Sequence, residues 1–406
     1  MKVLVINAGS SSVKYQMIDT ETEICLAKGD VSRIGMAGAV LTHKPHDRDA
    51  VKISGEILDH IMAIEHVISM LLSPNHGVIK DKSEIDAVGH RVVHGGERFT
   101  ESTLIGTEVL AELRDMIDLA PLHNPHNIRG ITACMKILEH APQVAVFDTA
   151  LHHQMPDYAY MYGIPYVLYT KYQIRRYGFH GMSHRYVSVR AAKLMDRKYE
   201  DLKIITIHLG NGASIAAIDG GISIDTSMGL TPLEGLMMGT RSGDMDPAII
   251  LRIMSTEELS LHEANTLLNK HSGLMGVSGR SSDMREIISA MDEDRKRARL
   301  AFEMYCYRIK KYIGAYIAAM NGADAIVFTA GVGENSPRVR SAVLADMDWF
   351  GIKIDEEKNA DALATESDIS AEDSAVNIYV IPTNEELVIA KDTDRVVREQ
   401  ADKNPT

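Results

Sequence analysis

The sequence predicts an α/β fold built from two similar domains. Short apolar segments, typical of buried strands, alternate with amphipathic helical patterns along the 406 residues, and such alternation is characteristic of α/β architecture. A strand–loop–strand pattern also occurs twice, around Asn7 and around Asn211, half the chain apart. A repeat on that scale indicates a duplicated domain. The length is also too great for one typical hydrophobic core.

The predicted strands are short apolar runs bounded by turn residues. In chain order they are KVLVIN (2–7), AVGHRVV (87–93), QVAVFD (143–148), KIITIHL (203–209), DAIVFTAG (324–331) and NIYVIP (377–382). The clearest predicted helix is 295–322, in which apolar residues recur at helical spacing before a glycine. We place the domain boundary near residue 150, ahead of a tyrosine-rich segment. The predicted domains are 1–150, with a charged C-terminal helix (384–406) packed back on it, and 151–383.

Composition and charge argue against several classes of function. The net charge is −13 and the basic residues are scattered, so nucleic acid and anionic membranes should be repelled. Three cysteines that are far apart and lack a CxxC pattern argue against a disulfide framework or a zinc site. No run reaches the ~18 apolar residues of a membrane helix, and the apolar N-terminal run is too short for a signal peptide. We therefore expect a cytoplasmic protein without nucleic-acid or membrane partners.

Two loops of small residues are the first candidates for a binding site. They are NAGSSSVK, from Asn7 to Lys14, and HLGNGAS, which begins at His208. Glycine lets a ligand approach the backbone closely, and serine hydroxyls and backbone N–H groups bind phosphate oxygens. Neither loop has a Walker A or G-x-G-x-x-G pattern. A hairpin turn explains one such loop equally well, but two in repeated positions, with the tight loop AGVGENS (330–336), favour phosphate binding.

Charged residues among small neighbours form the second group of candidates. Arg91 in HRVVHGGE and Arg241 in MMGTRSGD could each bind a carboxylate or phosphate group, or form a surface ion pair. Asp148 and Glu385 follow predicted strands, where an acidic residue can hold Mg²⁺ or cap a helix.

The loop histidines allow two interpretations. His180 and His184 are four residues apart, a spacing that a metal site on a helix could use. Because the chain has no HExxH motif and no nearby cysteine, hydrogen bonding or contact with a phosphoryl group is the favoured role.

Together these motifs resemble those of the acetate kinase (acetokinase) family along essentially the whole chain. The resemblance is carried by NAGSSSVK, GHRVVHGGE, LAPLHNPHN, FDTA, RRYGFHGMSH, HLGNGAS, DTSMGLTPLEGLMMGTRSGDMDP, SGRSSDMRE, FTAGVGENS and TNEEL. It implies two duplicated ribonuclease-H-like domains of the actin-like ATPase superfamily, with a nucleotide cleft between them. It also implies reversible phosphoryl transfer from ATP to acetate, giving acetyl phosphate and ADP, with Mg²⁺ that Mn²⁺ can replace. Relatives are homodimers, which implies an interface in the second domain.

The resemblance further implies a role for individual residues. Catalytic roles go to Asp148, Arg91, Arg241 and His180. The pocket for the acetate methyl group is formed by Val93, Leu122, Phe179 and Pro232. Nucleotide binding is assigned to Lys14, His208, Gly210, Asn211, Gly212, Asp283, Arg285, Gly331 and Asn335. Asn7 and Glu385 serve the metal, Ser10 and Ser12 belong to the first phosphate loop, and His123 lies near the phosphoryl group.

Two positions depart from the family pattern. The family usually reads FDTAFH where this chain has FDTALH, with Leu151, and we expect this difference to change packing only. Met284 stands where some relatives have an aromatic residue, which should alter the strength of adenine stacking.

The chemistry of the acceptor predicts a mechanism without a general base. A carboxylic acid of this kind has a pKa of about 4 to 5 and is ionised at neutral pH. The difficulty is then the repulsion between two anions, which arginine, histidine and Mg²⁺ can neutralise. We therefore expect direct in-line transfer, in which Asp148 positions metal and water instead of accepting a proton.

Three other functions remain as alternatives. A propionate or butyrate kinase would use the same scaffold. Val93 narrows the acid pocket and favours acetate, but one methylene group is worth only about 1–3 kcal/mol. A non-catalytic ATPase would leave Arg91 and Arg241 without a role, and a pyrophosphate-dependent enzyme would not need the adenine-site residues Gly331 and SSDMRE.

Overall fold

The computed structural model describes residues 1–121 and 123–403. The strands are β1 (Lys2–Ala8), β2 (Ser12–Asp19), β3 (Ile24–Ser32), β4 (Ala39–Pro45), β5 (Val51–Gly55), β6 (Ala87–Val92), β7 (Thr103–Leu104), β8 (Gln143–Phe147), β9 (Lys203–Leu209), β10 (Ala213–Asp219), β11 (Ile222–Thr226), β12 (Ala325–Thr329), β13 (Ser367–Asp368) and β14 (Asn377–Val380). The strands predicted from sequence are confirmed, with small differences at their ends.

The helices alternate with these strands, as the sequence predicts. They are α1 (His60–Leu71), α2 (Thr107–Asp115), α3 (Asn124–Ile137), α4 (Asp157–Tyr160), α5 (Val167–Tyr172), α6 (Gly181–Leu194), α7 (Pro247–Thr256), α8 (Leu261–Lys270), α9 (Gly273–Ser278), α10 (Met284–Asp292), α11 (Lys296–Met320), α12 (Ala330–Asn335), α13 (Pro337–Leu344), α14 (Glu356–Asp361) and α15 (Glu385–Lys403). Short 3₁₀ turns occur at Lys82–Glu84, Ile117–Leu119, Ala150–His152, Tyr199–Asp201 and Asp348–Phe350.

The chain forms two compact units. Unit 1 consists of Met1–Ala150 together with the segment from Asn384 onward, and unit 2 consists of Leu151–Thr383. The C-terminal helix α15 packs in unit 1 against β1, β6 and β8, and its buried residues include Leu387, Ile389 and Ala390.

The two units repeat one sheet topology. In unit 1 the strand order is β5-β4-β3-β2-β1-β6-β8-β7, and in unit 2 it is β11-β10-β9-β12-β14-β13. The antiparallel group β3-β2-β1 continues into the parallel strands β6 and β8, and β11-β10-β9 continues likewise into β12 and β14. The predicted duplicated α/β fold is thereby confirmed. The two asparagines are not equivalent, however, because Asn7 lies within β1 whereas Asn211 lies in the turn between β9 and β10.

The secondary structure differs from the sequence prediction at residues 330–336. The stretch 330–336 was predicted to be a tight loop, but Ala330–Asn335 forms the short helix α12 directly after β12. The carboxylate of Glu334 accepts a hydrogen bond from the backbone N–H of Ala330 at 2.7 Å. This bond satisfies a backbone donor that the start of a helix leaves without a partner, so a glycine-rich sequence can still close a helical turn.

The longest helix illustrates where local sequence signals are sufficient. The segment predicted as 295–322 is the helix α11, which ends where Asn321 and Gly322 take positive φ angles of 54° and 118°. Glycine adopts such angles readily and commonly ends helices. No helix in residues 1–121 and 123–403 is long and apolar enough to cross a membrane.

Candidate functional site

The site in unit 1 begins at the carboxyl ends of three parallel strands. Asn7 lies near the end of β1, Arg91 near the end of β6, and Asp148 directly follows β8. Ile6 pairs with His90, so the residues that follow them come to the same edge of the sheet. Ligands of α/β proteins commonly bind at this edge.

The first small-residue loop is a hairpin turn held from two sides. The backbone N–H of Gly9 donates to the Ser12 carbonyl at 2.8 Å, and His60 Nε2–H donates to the Gly9 carbonyl at 2.7 Å. The Asn127 amide donates to the carbonyl of Ala8 at 2.8 Å. A loop that is fixed in this way presents its remaining N–H and hydroxyl groups in one arrangement.

Arg91 and Asp148 form an ion pair. The guanidinium group donates from Nη2 to Oδ2 at 2.5 Å and from Nε to Oδ1 at 3.3 Å. The Asp148 side chain is 1% exposed, whereas that of Arg91 is 22% exposed. Burial alone would lower the pKa of Arg91, but Asp148 and Glu385 raise it, so the net shift is upward. The arginine is therefore a permanent cation with one side open to solvent.

Glu385 brings a second carboxyl group to this site, at the first residue of α15. Burial raises its pKa to about 7, with a further contribution from Asp148, although Arg91 acts in the opposite direction. Two carboxyl groups near each other repel when both are ionised. A bound cation would relieve that repulsion, and this is the property expected of a metal site.

We expect metal-free Glu385→Gln protein to be more stable than the parent at about pH 8, by on the order of 1–3 kcal/mol. The folded-state pKa of Glu385, about 7, lies above its ordinary value of 4.5. The folded parent therefore binds more protons between these values, and its stability falls as the pH rises through that window. Glutamine has no charge to bury.

Thermal unfolding in EDTA across this pH range measures the effect. The parent curve should fall relative to that of Glu385→Gln, while Glu139→Gln, at an exposed position of unit 1, should follow the parent. Parallel curves for parent and Glu385→Gln would contradict the prediction.

The other predicted residues of unit 1 lie on the turn after β1, on β2, directly after β6 and directly before α3. Lys14 is exposed on β2 and pairs with Asn7, and its charge acts on Glu385. Ser10 is exposed and Ser12 is partly buried. Val93 is 6% exposed, and its N–H donates to Asn127 Oδ1 at 3.1 Å. His123 immediately precedes α3, and Leu122 lies outside the described residues.

The site in unit 2 gathers around the second small-residue loop. A Cβ atom at Gly212 would lie 3.1 Å from Arg241 Nη1 and 3.7 Å from His180 Nε2, so both side chains flank the loop backbone. His180 precedes α6 with a φ angle of 58°, which is rare for residues other than glycine. Its ring stacks on that of His208, with centroids 4.1 Å apart.

Arg241 differs from Arg91 in its partners. Its Nη1 donates to the Pro232 carbonyl at 3.3 Å and approaches Met238 Sδ at 3.8 Å. Burial lowers the pKa of Arg241, and within residues 1–121 and 123–403 no carboxylate forms an ion pair with it. A partly buried guanidinium group without a carboxylate partner is suited to bind an anionic ligand.

A cavity of about 810 Å³ adjoins the same loop. Six residues predicted to bind nucleotide line it: Gly210, Asn211, Asp283, Arg285, Gly331 and Asn335. Gly212 belongs to the adjoining loop, His208 lies near the end of β9, and Lys14 belongs to unit 1. The lining also contains residues that the sequence did not single out, namely Ser282, Ile288, Val332 and Ser336. Ile288 follows the lining residue Met284 by one helical turn, a spacing that could have indicated it.

Short-range contacts fix this lining. Asp283 caps α10 by accepting from the Arg285 N–H at 2.9 Å, and it pairs with the Arg285 guanidinium group at 2.5 Å. That bond lowers the pKa of Asp283. Asn335 Nδ2 donates to the Gly331 carbonyl at 3.0 Å. A Cβ at Gly239 would lie 2.3 Å from Asn211 Oδ1, so only glycine allows this approach.

The predicted acid-pocket residues of unit 2 are Phe179, which is next to His180 in sequence, and Pro232, which contacts Arg241. Phe179, which is 2% exposed, precedes His180, and its carbonyl accepts from His152 Nε2 at 3.2 Å. Pro232 is the partner of Arg241 already described. Val93 belongs to unit 1.

Comparison with known proteins gives a consistent result. The model of the acetokinase family matches residues 2–391. An acetate kinase of Desulfitobacterium hafniense is 56% identical over 98% of this chain and 100% of its own length. The crystal structure of Porphyromonas gingivalis acetate kinase has a TM-score of 0.95 and 48% identity, with 98% of this chain and 99% of that chain covered. A propionate kinase from Francisella tularensis has a TM-score of 0.91 and 42% identity, with coverages of 97% and 99%.

Proposed function

The chain belongs to the acetokinase family and catalyses phosphoryl transfer between ATP and acetate, and we propose that the transfer is direct and in line, giving acetyl phosphate and ADP. The observation that carries this proposal is the partly buried guanidinium group of Arg241, which has no carboxylate partner in the described part of the chain. It lies beside His180 and the loop backbone at Gly212. Such a group is suited to bind an anion, and both substrates are anions.

The proposed chemistry rests on charge neutralisation. The acetate carboxylate is already ionised at neutral pH, so the barrier comes from its repulsion by the terminal phosphate of ATP. Arg241 and His180 supply donors to the oxygens of the phosphoryl group in transfer. Positioned donors of this kind are the main contribution of proteins to phosphoryl transfer.

Arg91 is the second cation that we propose for the reaction. Arg91 is held by two hydrogen bonds to Asp148, which leaves the remainder of its guanidinium group for substrate. Asp148 in this role orients Arg91 and is not a general base. Ser10, Ser12 and Lys14, in the first small-residue loop, supply further hydrogen-bond donors for phosphate oxygens. His123 is proposed to lie near the phosphoryl group.

We propose that Asn7, Asp148 and Glu385 hold Mg²⁺ together with water and substrate oxygens. The donors are oxygen atoms, which Mg²⁺ prefers, and the raised pKa of Glu385 indicates a place where a cation would be favourable. Among residues 1–121 and 123–403 no group of three or more acidic, histidine or cysteine side chains is placed to hold a metal alone. Mg²⁺ commonly binds through one or two carboxylates and the phosphates of its substrate. When bound, it neutralises phosphate charge.

The nucleotide is proposed to occupy the 810 Å³ cavity of unit 2. Gly331, Asn335 and the pair Asp283–Arg285 would surround the adenosine. His208, Gly210, Asn211 and Gly212 would contact the phosphates. Met284, 3% exposed, contributes an apolar surface in place of an aromatic ring.

Acetate is the proposed acceptor, with Val93, Phe179 and Pro232 around its methyl group. The structural similarity to the propionate kinase of Francisella tularensis makes the longer acid the main alternative. We expect acyl phosphate, trapped by hydroxylamine, to form fastest with acetate and more slowly with propionate, since one methylene group in a pocket is worth about 1–3 kcal/mol.

The assay compares acetate, propionate, butyrate and no acid, each with ATP and Mg²⁺. Equal or faster formation with a longer acid would assign the chain to that acid. ADP release that does not depend on any acid would contradict the kinase function.

We also propose a cytoplasmic homodimer that forms through unit 2. Large apolar side chains are exposed there, including Tyr158 (85%), Tyr166 (65%), Leu251 (69%) and Leu261 (80%). Contiguous apolar surface commonly marks a protein interface, and we propose that these side chains contribute to one. Sedimentation velocity would show a dimer if the proposal is correct and a monomer if it is not.

A further inference from the structure

A chain of three hydrogen bonds leads from the interior of unit 2 to His180. Thr206 Oγ1 lies 2.7 Å from His184 Nδ1, and His184 Nε2 lies 2.7 Å from Ser214 Oγ. Ser214 Oγ in turn lies 2.8 Å from His180 Nδ1. Thr206, His184 and Ser214 are all 0% exposed. They come from β9, α6 and β10, the elements that carry the second small-residue loop and His180.

Which atom donates in each of these hydrogen bonds is decided at Thr206, the residue most remote from His180 in the series. Within residues 1–121 and 123–403, His184 is the hydrogen-bond partner found for the Thr206 hydroxyl group. A buried hydroxyl group that donated nowhere would lose a hydrogen bond that water supplies in the unfolded chain. Thr206 is therefore the donor, and His184 Nδ1 is the acceptor.

The remaining protons follow from that assignment. Burial lowers the pKa of His184 well below its ordinary value, so its ring is neutral and carries one N–H group. Since Nδ1 accepts, this proton is on Nε2, which donates to Ser214 Oγ. The hydroxyl hydrogen of Ser214 is then directed at Nδ1 of His180.

We propose that Thr206, His184 and Ser214 are positioning residues that hold His180 as the tautomer with its proton on Nε2. Nε2 is the nitrogen that flanks Gly212 beside Arg241. His180 thus presents an N–H donor at this place and does not act as a base. The benefit to catalysis rests on the proposed function, in which this donor contacts the phosphoryl group.

The same arrangement disfavours an imidazolium ion at His180. A cation would carry a proton on Nδ1 and would have to donate to Ser214 Oγ. Every bond of the chain would then reverse, and the Thr206 hydroxyl group would lose its acceptor. A donor fixed in advance needs no reorganisation during the reaction.

The test uses a matched pair at the end of the chain remote from substrate. Thr206→Val removes the hydroxyl group and nearly keeps the shape, whereas Thr206→Ser keeps the hydroxyl group. Nitrogen NMR of ¹⁵N-histidine-labelled protein reports the tautomer, and the His180 signals are identified by their absence from His180→Gln. Ser223→Ala is the control, because it removes the hydroxyl group that lies 2.7 Å from Nδ1 of His152, a buried histidine whose ring is in edge contact with that of His184.

We expect His180 Nδ1 to have an acceptor-type shift and Nε2 an N–H-type shift in the parent, in Thr206→Ser and in Ser223→Ala. Thr206→Val should populate the other tautomer and lower kcat, by up to the roughly 10²- to 10³-fold that the loss of one preorganised donor costs, with a smaller change in KM. A proton on Nδ1 in the parent, or an unchanged tautomer in Thr206→Val, would overturn the proposal.

If Thr206→Val does not fold, Ser214→Ala replaces it, with the same expected loss of the Nε2–H tautomer and the same contradicting result. The NMR result does not depend on turnover. An unaltered kcat in His180→Gln would contradict the proposed contact of His180 with the phosphoryl group, while the tautomer assignment would still be decided by the spectra.

Discussion

Arg241→Ala should lower kcat by about 10³- to 10⁵-fold, the range for cations that support phosphoryl transfer, with little loss of stability. The side chain makes its hydrogen bonds to the Pro232 carbonyl and the Met238 sulfur, so its removal leaves no partner carboxylate unpaired in the described part of the chain. Arg241→Lys should recover only part of the rate, since an ammonium group cannot form two parallel hydrogen bonds.

The hydroxylamine assay gives the rate, and thermal unfolding gives the stability. Arg190→Ala is the matched control, because Arg190 lies in the same unit and pairs with Glu366 at the surface. It should leave the rate unchanged. A loss below tenfold in Arg241→Ala would mean that this guanidinium group does not contact the phosphoryl group in the transition state.

Arg91→Ala should have the second large effect, on both activity and stability. The rate should again fall by about 10³- to 10⁵-fold. In contrast to Arg241, removal of this side chain leaves the carboxylate of Asp148, which is 1% exposed, without its partner. Breaking a buried ion pair from one side costs about 3–5 kcal/mol, so the free energy of unfolding of the metal-free protein should drop by an amount of that order.

The double variant Arg91→Ala/Asp148→Asn separates the two effects. Its neutral amide no longer buries an unpaired charge, so most of the lost stability should return, while activity should stay low. Denaturant unfolding in EDTA measures the first quantity and the acyl phosphate assay the second. A double variant as unstable as Arg91→Ala would show that the ion pair is not the source of the loss.

The sequence alone could not distinguish the environments of the two arginines. Arg91 and Arg241 both lie near glycines, and the sequence permits either an anion site or a surface ion pair for each. The fold brings Asp148 to Arg91 across parallel strands, whereas Arg241 meets a carbonyl and a sulfur atom. Residue type and neighbours are alike, and the difference comes from Asp148, which lies 57 positions from Arg91 in the sequence.

The sequence by itself determined the secondary structure and its repetition along the chain. The spacing of apolar residues predicted the strands and the helix α11, and the repeated strand–loop–strand pattern predicted the duplicated fold, because such periodicity depends on near neighbours. The motifs carried the resemblance to the acetokinase family. The helix at Ala330–Asn335 was missed, since its start depends on the side chain of Glu334.

The tertiary structure alone decided which side chains come into contact and which of them are charged or protonated. Sequence spacing suggested that His184 could be a metal ligand, whereas the fold surrounds it with the hydroxyl groups of Thr206 and Ser214. The raised pKa of Glu385 likewise needs Asp148 from another part of the chain. Hydrogen bonding and burial depend on distances between residues that are remote in sequence, and only the folded chain sets those distances.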